Sequence, residues 1–528
     1  MNRLTGDLLN QQSGFVVSTA LIVALGGFLM GFDSSVISGV VGFIEIEFEL
    51  SSLQLGWAVS SLTLTATLAM LIAGPLSDRI GRKPVLSLAA VLFAVSAILS
   101  AIAPNFLVLV IARMIGGLGV GASLIIAPMY IAEMAPPASR GRLVSFNQFN
   151  IVIGISVAFF SNYLILTLGQ SSTGIANALN LEQWNWRWML GIELLPAILY
   201  YAALTLVPES PRWLIMQGRG EEALGTLQRI NGAEEGRQEL DLVRQSISDE
   251  ADQPETSWRS LFNTSMKLVL LIGISVGVLQ QITGINAVFY YAPMIFEQSG
   301  IGTNAAFMQA VFVGLINVVF TVAALLLIDR LGRRTLLAIG LSGISICMLT
   351  LAFGFGSATY RLDQQNIENL PAEISRIQIS EVVENVYYSD LEFRDAVSAA
   401  IGIETYSRYE TQLVSEAVDL QPKLILIAIL GFVASFAISL GPVMWVLFSE
   451  LFPNRIRGKA ISFVGLINSS VAFLVTLLFP WELDTIGVSG TFLIFGLFAL
   501  IGLILILKIL PETKGKSLEQ LEQELIGA

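Results

Sequence analysis

The chain has 528 residues, of which 54% are hydrophobic and only 13% are charged, and its formal net charge at pH 7 is −12. Soluble domains usually carry about 25% charged residues, so this composition excludes an ordinary soluble domain. Apolar stretches of about 20 residues, the length that a helix needs to cross a bilayer, recur along the chain. We therefore expect an all-α membrane protein that is embedded in the lipid bilayer and has no nucleic-acid partner.

Twelve apolar stretches are long enough to span a membrane, in two groups of six, and we number them one to twelve. The first is long enough to span, so we expect no cleavable signal peptide. The predicted spans are 15–38, 55–76, 84–103, 107–130, 144–168, 187–207, 266–292, 307–328, 335–356, 423–447, 460–480 and 488–510. They divide the chain into an N-terminal half (1–207), a polar linker (208–265), a C-terminal half (266–510) and a tail (511–528).

Basic residues predict the orientation of these spans. Most of the 29 Lys and Arg residues lie on one side, together with both termini, and such residues concentrate in cytoplasmic loops. No Asn-x-Ser/Thr glycosylation sequence lies in the loops of the opposite side. We therefore expect a multi-pass protein of a bacterial cell (inner) membrane, with both termini in the cytoplasm.

Short motifs occur once in each half and indicate an internal repeat. The signature Asp-Arg-x-Gly-Arg at 78–82 returns at 329–333, which is 251 residues later. The other two repeated motifs are Glu133 with Arg140, which returns 317 residues later as Glu450 with Arg457, and Pro-Glu-Ser at 208–210, which returns as Pro-Glu-Thr at 511–513. Because the offsets differ, the second half contains an insertion. Residues 357–420, with 12 acidic and 4 basic residues on the predicted outer side, fit it.

The repeated charged residues predict a network at the cytoplasmic helix ends that closes this side in one state and releases it in another. A simple anchor of positive charge is the alternative, but an anchor needs neither the Asp nor the Gly. Exposed ion pairs are individually weak, yet a few kcal/mol is enough to bias two states. The expected members of this cytoplasmic charge network are Asp78, Arg79, Arg82, Glu133, Arg140, Glu209, Arg212, Asp329, Arg330, Arg333, Glu450, Arg457 and Glu512.

Span seven contains three amide side chains, Gln280, Gln281 and Asn286. Amides are costly against lipid, and they can donate to and accept from sugar hydroxyls. Their spacing does not place them on one helical stripe, but Gly284 between them permits a bend. The sequence predicts that they line a sugar-binding cavity, while hydrogen bonding between helices is the alternative.

Two opposite charges lie inside predicted spans, Asp33 in span one and Arg113 in span four. Isolated charges are very costly there, so we expect the two to pair. The chain contains no histidine, so a carboxylate is the expected proton carrier. Protonation of Asp33 would release Arg113 and change the energetics of closure, whereas a static ion pair is the alternative.

Six motifs in this order give the chain its resemblance to a known family. They are Gly31-Phe32-Asp33, Asp78-Arg79-x-Gly81-Arg82, Pro208-Glu209-Ser210-Pro211-Arg212-Trp213-Leu214, Gln280-Gln281-Ile282-Thr283-Gly284-Ile285-Asn286, Gly441-Pro442-Val443-Met444-Trp445 and Pro511-Glu512-Thr513-Lys514-Gly515. With them the chain resembles the sugar porter family of the major facilitator superfamily, which includes bacterial xylose/proton symporters and facilitative glucose transporters. The resemblance covers nearly the whole chain except the insertion.

The resemblance implies two six-helix halves joined by a cytoplasmic helical linker domain. It also implies that Gln148, Asn317, Trp445 and Asn468 complete the sugar site. The Asp and Arg of proton-coupled members match Asp33 and Arg113, and Glu193 matches another carboxylate of the proton symporters. Ser469 and Ile155 depart from the family pattern, which leaves the identity of the sugar open.

The sequence favours a proton-coupled monosaccharide importer that works as a monomer by alternating access. A facilitative uniporter is the first alternative, and a sugar receptor that transports little is the second. We expect no enzyme activity, cofactor or metal site, because no nucleophile–base or metal-ligating constellation is present. The insertion at 357–420 is either a lid, a partner-binding element or a tolerated addition.

Overall fold

The computed structural model describes residues 2–136, 139–171, 174–251, 258–263, 266–371, 374, 376–453, 456–516 and 520–521. Among these residues the structure is almost entirely helical, with one small antiparallel sheet. The helices are α1 (Asn2–Val36), α2 (Val41–Glu47), α3 (Ser52–Ile80), α4 (Arg82–Ala101), α5 (Phe106–Met134), α6 (Arg140–Gly169), α7 (Gly174–Ala178), α8 (Asn185–Gly191), α9 (Leu194–Leu204), α10 (Pro211–Met216), α11 (Gly220–Asn231), α12 (Glu235–Ala251), α13 (Lys267–Ile282), α14 (Ile285–Tyr290), α15 (Ala292–Glu297), α16 (Thr303–Leu331), α17 (Arg333–Gly356), α18 (Gln364–Asn369), α19 (Arg376–Ile379), α20 (Asp390–Ile401), α21 (Ile403–Ala417), α22 (Pro422–Ile438), α23 (Leu440–Leu451) and α24 (Arg457–Ile509). The strands are β1 (Thr359–Tyr360) and β2 (Val418–Asp419), and short 3-10 helices cover Ile37–Gly39 and Trp258–Phe262.

The helical elements confirm the predicted all-α membrane fold. Eleven elements of the described chain are long and apolar enough to cross a membrane. One of them, α24, has 53 residues and contains Gly487 with φ 80°, a backbone conformation that no α-helix has. Predicted spans eleven and twelve lie on either side of this glycine, so the eleven elements account for all twelve predicted spans.

The chain forms two compact units. The first consists of Met1–Ser34, Ser61–Ala158 and Leu190–Ser257. Its apolar core is built from buried side chains such as Phe93 and Tyr130. The linker helices α10, α11 and α12 belong to this unit and enclose a smaller apolar cluster around Trp213 and Leu227. The polar linker is therefore helical over much of its length.

The second unit consists of Ser35–Ser60, Phe159–Met189 and Trp258–Ala528. Span seven is interrupted in it. Helix α13 ends at Ile282, and Gly284 adopts a left-handed conformation (φ 87°, ψ 17°) before α14 begins at Ile285. Only glycine takes this conformation at little cost. The break therefore has a local cause in the sequence.

The insertion at 357–420 is folded. Its two ends are joined by the antiparallel pair β1–β2, in which Thr359 lies opposite Asp419 and Tyr360 opposite Val418. Between the strands, α18 to α21 surround an apolar cluster that includes Phe393, Val397 and Leu413. A segment with its own core is more than a solvated acidic loop.

Candidate functional site

A buried ion pair lies inside the first unit. The Arg113 guanidinium in α5 pairs with the Asp33 carboxylate in α1, and Nη1 of Arg113 also donates to the backbone oxygen of Asp33 at 3.0 Å. The two residues are only 1% and 0% exposed. Among the described residues, Oδ2 of Asp33 and Nε of Arg113 have no hydrogen-bond partner. The structure thus brings together the two charges that the sequence placed in separate spans.

Glu193 adds a second carboxyl group to this pair. It lies just before α9, is 2% exposed, and interacts electrostatically with both Asp33 and Arg113. Its Oε1 has no hydrogen-bond partner in the described part of the chain. Two carboxyl groups and one guanidinium leave one negative charge unbalanced when both carboxyls are ionised. An uncompensated buried charge is very costly.

A network of amide side chains lies inside the second unit. Nδ2 of Asn468 donates to Oε1 of Gln280 at 2.8 Å, and Nε2 of Gln281 donates to the same Oε1 at 3.1 Å. Nδ2 of Asn286 donates to Oε1 of Gln281 at 2.9 Å. The break at Gly284 explains this last contact, because it lets a side chain of α14 reach one of α13.

The broken span ten also supports this network. Helix α22 ends at Ile438, Ser439 is non-helical (φ −127°, ψ −96°), and α23 begins at Leu440. The carbonyl of Leu440 accepts from Nε2 of Gln280 at 3.1 Å. Two interrupted helices therefore present backbone and amide groups at one place, which is the usual construction of transporter binding sites.

The other predicted sugar-binding residues are placed differently. Asn317 is buried within α16, and Trp445 in α23 is 42% exposed and packs edge-to-face on Phe448. Within the described chain neither forms a hydrogen bond with the amide network. Gln148 is half-buried in α6, which at this point belongs to the first unit.

The first copy of the repeated signature forms a charge network inside the first unit. Arg82 is bonded to Glu133 through Nε and Nη2, at 3.2 and 3.1 Å, and to Asp78 at 2.9 Å. The Glu209 carboxylate accepts from the backbone N–H groups of Arg82 and Lys83, at 3.1 and 3.2 Å, at the start of α4. A carboxylate is favourable there because the helix N-terminus carries partial positive charge. Burial raises the pKa of Glu209, and these backbone hydrogen bonds oppose the rise.

The second copy repeats this arrangement inside the second unit. Arg333 pairs with Glu450 at 2.7 Å and with Asp329 at 3.1 Å. The Glu512 carboxylate accepts from the backbone N–H of Arg333 at 2.9 Å, at the start of α17. The repeat in the sequence is therefore a repeat in structure.

Glycine is required in both copies of the signature. Gly81 has φ 104° and Gly332 has φ 89°. A Cβ atom on Gly81 would lie 2.4 Å from the Glu209 carboxylate, and one on Gly332 would lie 2.6 Å from that of Glu512. The fixed glycine thus serves both the turn and the approach of the capping carboxylate.

Some predicted members of the charge network have other contacts. Nε of Arg457 donates to the carbonyl of Phe452 at 3.1 Å. In the part of the chain that the structure describes, Arg79, Arg140 and Arg330 form no ion pair. Arg212 does have interactions with other residues.

The sequence interpretation missed two hydroxyl groups. The Ser210 hydroxyl donates to Glu133, and the Thr513 hydroxyl donates to Glu450 at 2.7 Å. Both are the third residue of the repeated Pro-Glu-Ser/Thr motif. A hydroxyl at the same position in both repeats was the signal that could have identified them.

Comparison with known proteins shows the family to which the chain belongs. The profile of the family described as "Sugar (and other) transporter" matches residues 19–369 and 399–525. The arabinose-proton symporter of Bacillus subtilis (strain 168) is 34% identical over 510 residues, covering 97% of this chain and 95% of that protein. The D-xylose-proton symporter of Escherichia coli (strain K12) is 33% identical over 546 residues, covering 97% and 96%.

A solved structure has a similar fold over nearly the whole chain. The inward open conformation of the xylose transporter XylE from E. coli matches with a TM-score of 0.73 and 31% identity, covering 97% of this chain and 100% of that one. Interrupted spans, repeated halves and a buried charge pair define a membrane transporter of the major facilitator fold. The chain belongs to the sugar transporter family. The family profile leaves residues 370–398 unmatched, and these lie inside the insertion.

Proposed function

We propose that this protein imports a monosaccharide together with a proton by alternating access. The observation that carries the proposal is the buried Asp33–Arg113 pair with Glu193 beside it. Relatives named as arabinose-proton and D-xylose-proton symporters support the same coupling. In this proposal the membrane is a bacterial cell membrane, both termini and the linker domain are cytoplasmic, and the working unit is a monomer.

The proton binds at Asp33 in the proposed cycle. When Asp33 is ionised it holds Arg113, and the second carboxyl group, Glu193, shares the same buried guanidinium. Protonation of Asp33 removes half of the ion pair, so Arg113 turns to Glu193 and the helices that carry these residues become free to shift. Coupling follows because an unpaired buried charge costs several kcal/mol. With both carboxyl groups ionised one negative charge is unbalanced, and protonation of Asp33 removes it and leaves Arg113 paired with Glu193.

The sugar binds at the amide network of the second unit. Gln280, Gln281, Asn286 and Asn468 now bond to one another, and a sugar would replace these bonds with hydroxyl–amide pairs of similar strength. Gln148, Asn317 and Trp445 are the further contacts that we propose, with Trp445 covering an apolar face of the ring. Each unit's charge network then closes the cytoplasmic side or opens it as the units move.

Uptake into proteoliposomes tests the proposal. A radiolabelled sugar is taken up with and without an inward proton gradient, and a panel of hexoses, pentoses and inositol competes with it. We expect the gradient to drive accumulation, and the Asp33→Asn variant to allow exchange of the sugar without gradient-driven accumulation. Gradient-independent uptake by the unaltered protein would instead indicate a uniporter, and binding without uptake would indicate a receptor.

A further inference from the structure

The insertion is attached to the second unit at several points. It leaves α17 and returns to α22, which are spans nine and ten. Nη1 of Arg394 in α20 pairs with Asp484 at 3.2 Å, and the Asp390 carboxylate accepts from the backbone N–H of Val488 at 2.9 Å, where span twelve begins. These contacts fix α20 on one side of the insertion.

The other side of the insertion contacts the end of span seven. Helix α21 packs against α15, the short helix that follows the interrupted part of this span. Nε2 of Gln298, directly after α15, donates to the Glu410 carboxylate in α21 at 3.2 Å. The insertion therefore connects the interrupted span seven to spans nine, ten and twelve.

Three carboxyl groups meet at this contact. Glu45 of α2, Glu297 of α15 and Glu410 of α21 line one cavity of about 40 Å³. Among the described residues the Glu45 carboxylate has no hydrogen-bond or ion-pair partner. Other polar groups face the three from each packed element. Around Glu297 and Glu410 these groups are Gln298, Thr303 and Thr411. In the adjoining cavity they are Glu49, Glu404 and Arg408. On the side of α20 they are Tyr360, Asp390, Arg394, Tyr406 and Asp484.

The charge balance of this contact favours protonation. Arg394 is paired with Asp484, and its positive charge opposes the rise in the pKa of Glu410 only in part. Burial, together with the neighbouring carboxylates, raises the pKa of Glu45 from 4.5 to about 8. Burial raises the pKa of Glu297 from 4.5 to about 7, and it also raises that of Glu410. The docked arrangement thus binds protons more tightly than separated carboxyl groups would.

We propose that the insertion is a proton-sensitive clasp on the outer end of span seven. Docked, α21 holds α15 and restrains the outer end of this broken span; released, it lets that end move. The proposal rests on the proposed transport function for its orientation and for its effect on uptake. It does not follow from the family, whose profile leaves residues 370–398 of this segment unmatched.

The direction of the pH effect follows from linkage. A carboxyl group whose pKa is higher in the docked form adds a proton on docking, so docking is strongest below the undocked pKa, near 4.5. Docking weakens as the pH rises toward the docked value of about 8 and then stays constant. Each unit of pKa difference changes the docking equilibrium by about tenfold.

Cross-linking tests the clasp directly. The chain has one cysteine, Cys347, and Cys347→Ser gives a background for the pair Gln298→Cys with Glu410→Cys. A short linker with a methanethiosulfonate group at each end then joins α21 to the end of span seven, because it forms a disulfide with each thiol, releases methanesulfinate, and is cleaved by a thiol reductant. The matched control joins Arg361→Cys to Glu384→Cys, an ion pair within the insertion whose side chains are 54% and 50% exposed. Elution as a single peak in detergent establishes that each variant is folded.

We expect the first linked protein to lose sugar uptake and to recover it with a thiol reductant, while the control link leaves uptake unchanged. Uptake by the Gln298–Glu410 linked protein equal to that of the control would overturn the proposal. Comparing uptake before and after linking tests the clasp separately from the proposed transport function, because the unlinked variant shows whether the protein transports sugar at all.

A second measurement needs neither sugar nor gradient. The linking rate of the Gln298/Glu410 pair is divided by that of the control pair at each pH, which removes the pH dependence of the thiols. With Glu45 and Glu297 intact, we expect this ratio to fall at least about tenfold between pH 4.5 and 8. Glu45→Gln with Glu297→Gln should flatten the profile. A flat ratio in the parent, or an unchanged slope in the double variant, would refute proton sensitivity even if symport is established.

Discussion

Replacing Glu133 with Gln is expected to destabilise the first unit. Arg82 is 5% exposed and Glu133 is 11% exposed, and two N–H···O contacts of 3.1 and 3.2 Å join them. Removing one partner of a buried pair costs about 3–5 kcal/mol. Asp78 at 2.9 Å and the Ser77 carbonyl at 3.2 Å still contact Arg82, so we expect a loss below this range, about 2–3 kcal/mol.

The free energy of unfolding in detergent, measured by denaturant titration, checks this value. A double-mutant cycle of Glu133→Gln with Arg82→Gln should show coupling, since the two charges are removed from one contact. Glu222→Gln provides the control, because its partner Arg219 is 47% exposed and exposed pairs contribute little. A change for Glu133→Gln no larger than that for Glu222→Gln would refute the reasoning.

Three further outcomes are expected. Gly81→Ala should lower the free energy of unfolding by more than Gly218→Ala, because both glycines have positive φ (104° and 73°) but only Gly81 meets a carboxylate at 2.4 Å; equal losses would mean that backbone conformation alone matters. Asn468→Leu should weaken sugar binding at least about tenfold by leaving Oε1 of Gln280 without its 2.8 Å donor, and unchanged affinity in a titration would remove Asn468 from the site. Asp33→Asn should abolish gradient-driven accumulation while counterflow exchange persists, and accumulation that survives would exclude Asp33 as the proton carrier.

Local properties of the sequence determined the architecture. A span is recognised from about 20 consecutive apolar residues, so the twelve spans were predicted without any long-range contact, and the break of span seven was indicated by Gly284. The repeated signature likewise predicted that 78–82 and 329–333 have equivalent structures. Burial cost alone indicated that Asp33 needs a partner.

Contacts between distant residues were decided only by the tertiary structure. Asn468 and Gln280 are 188 residues apart, and no pattern near either residue encodes their separation in space. Family resemblance proposed Asn468, but the hydrogen bond to Gln280 depends on how α13 and α24 pack. The roles of Ser210 and Thr513 also depend on where helices meet, because a hydroxyl acquires a carboxylate partner only through packing.

The insertion likewise has some features that the sequence determined and others that only the tertiary structure decided. Its acidic composition and its position between spans nine and ten were evident from the sequence, because charge and repeat offsets are read along the chain. Its apolar cluster and its contact at Glu410 with Gln298 were not. Short helices are stabilised mainly by packing rather than by their own propensity. Only the tertiary structure therefore decides that α21 of this segment contacts α15.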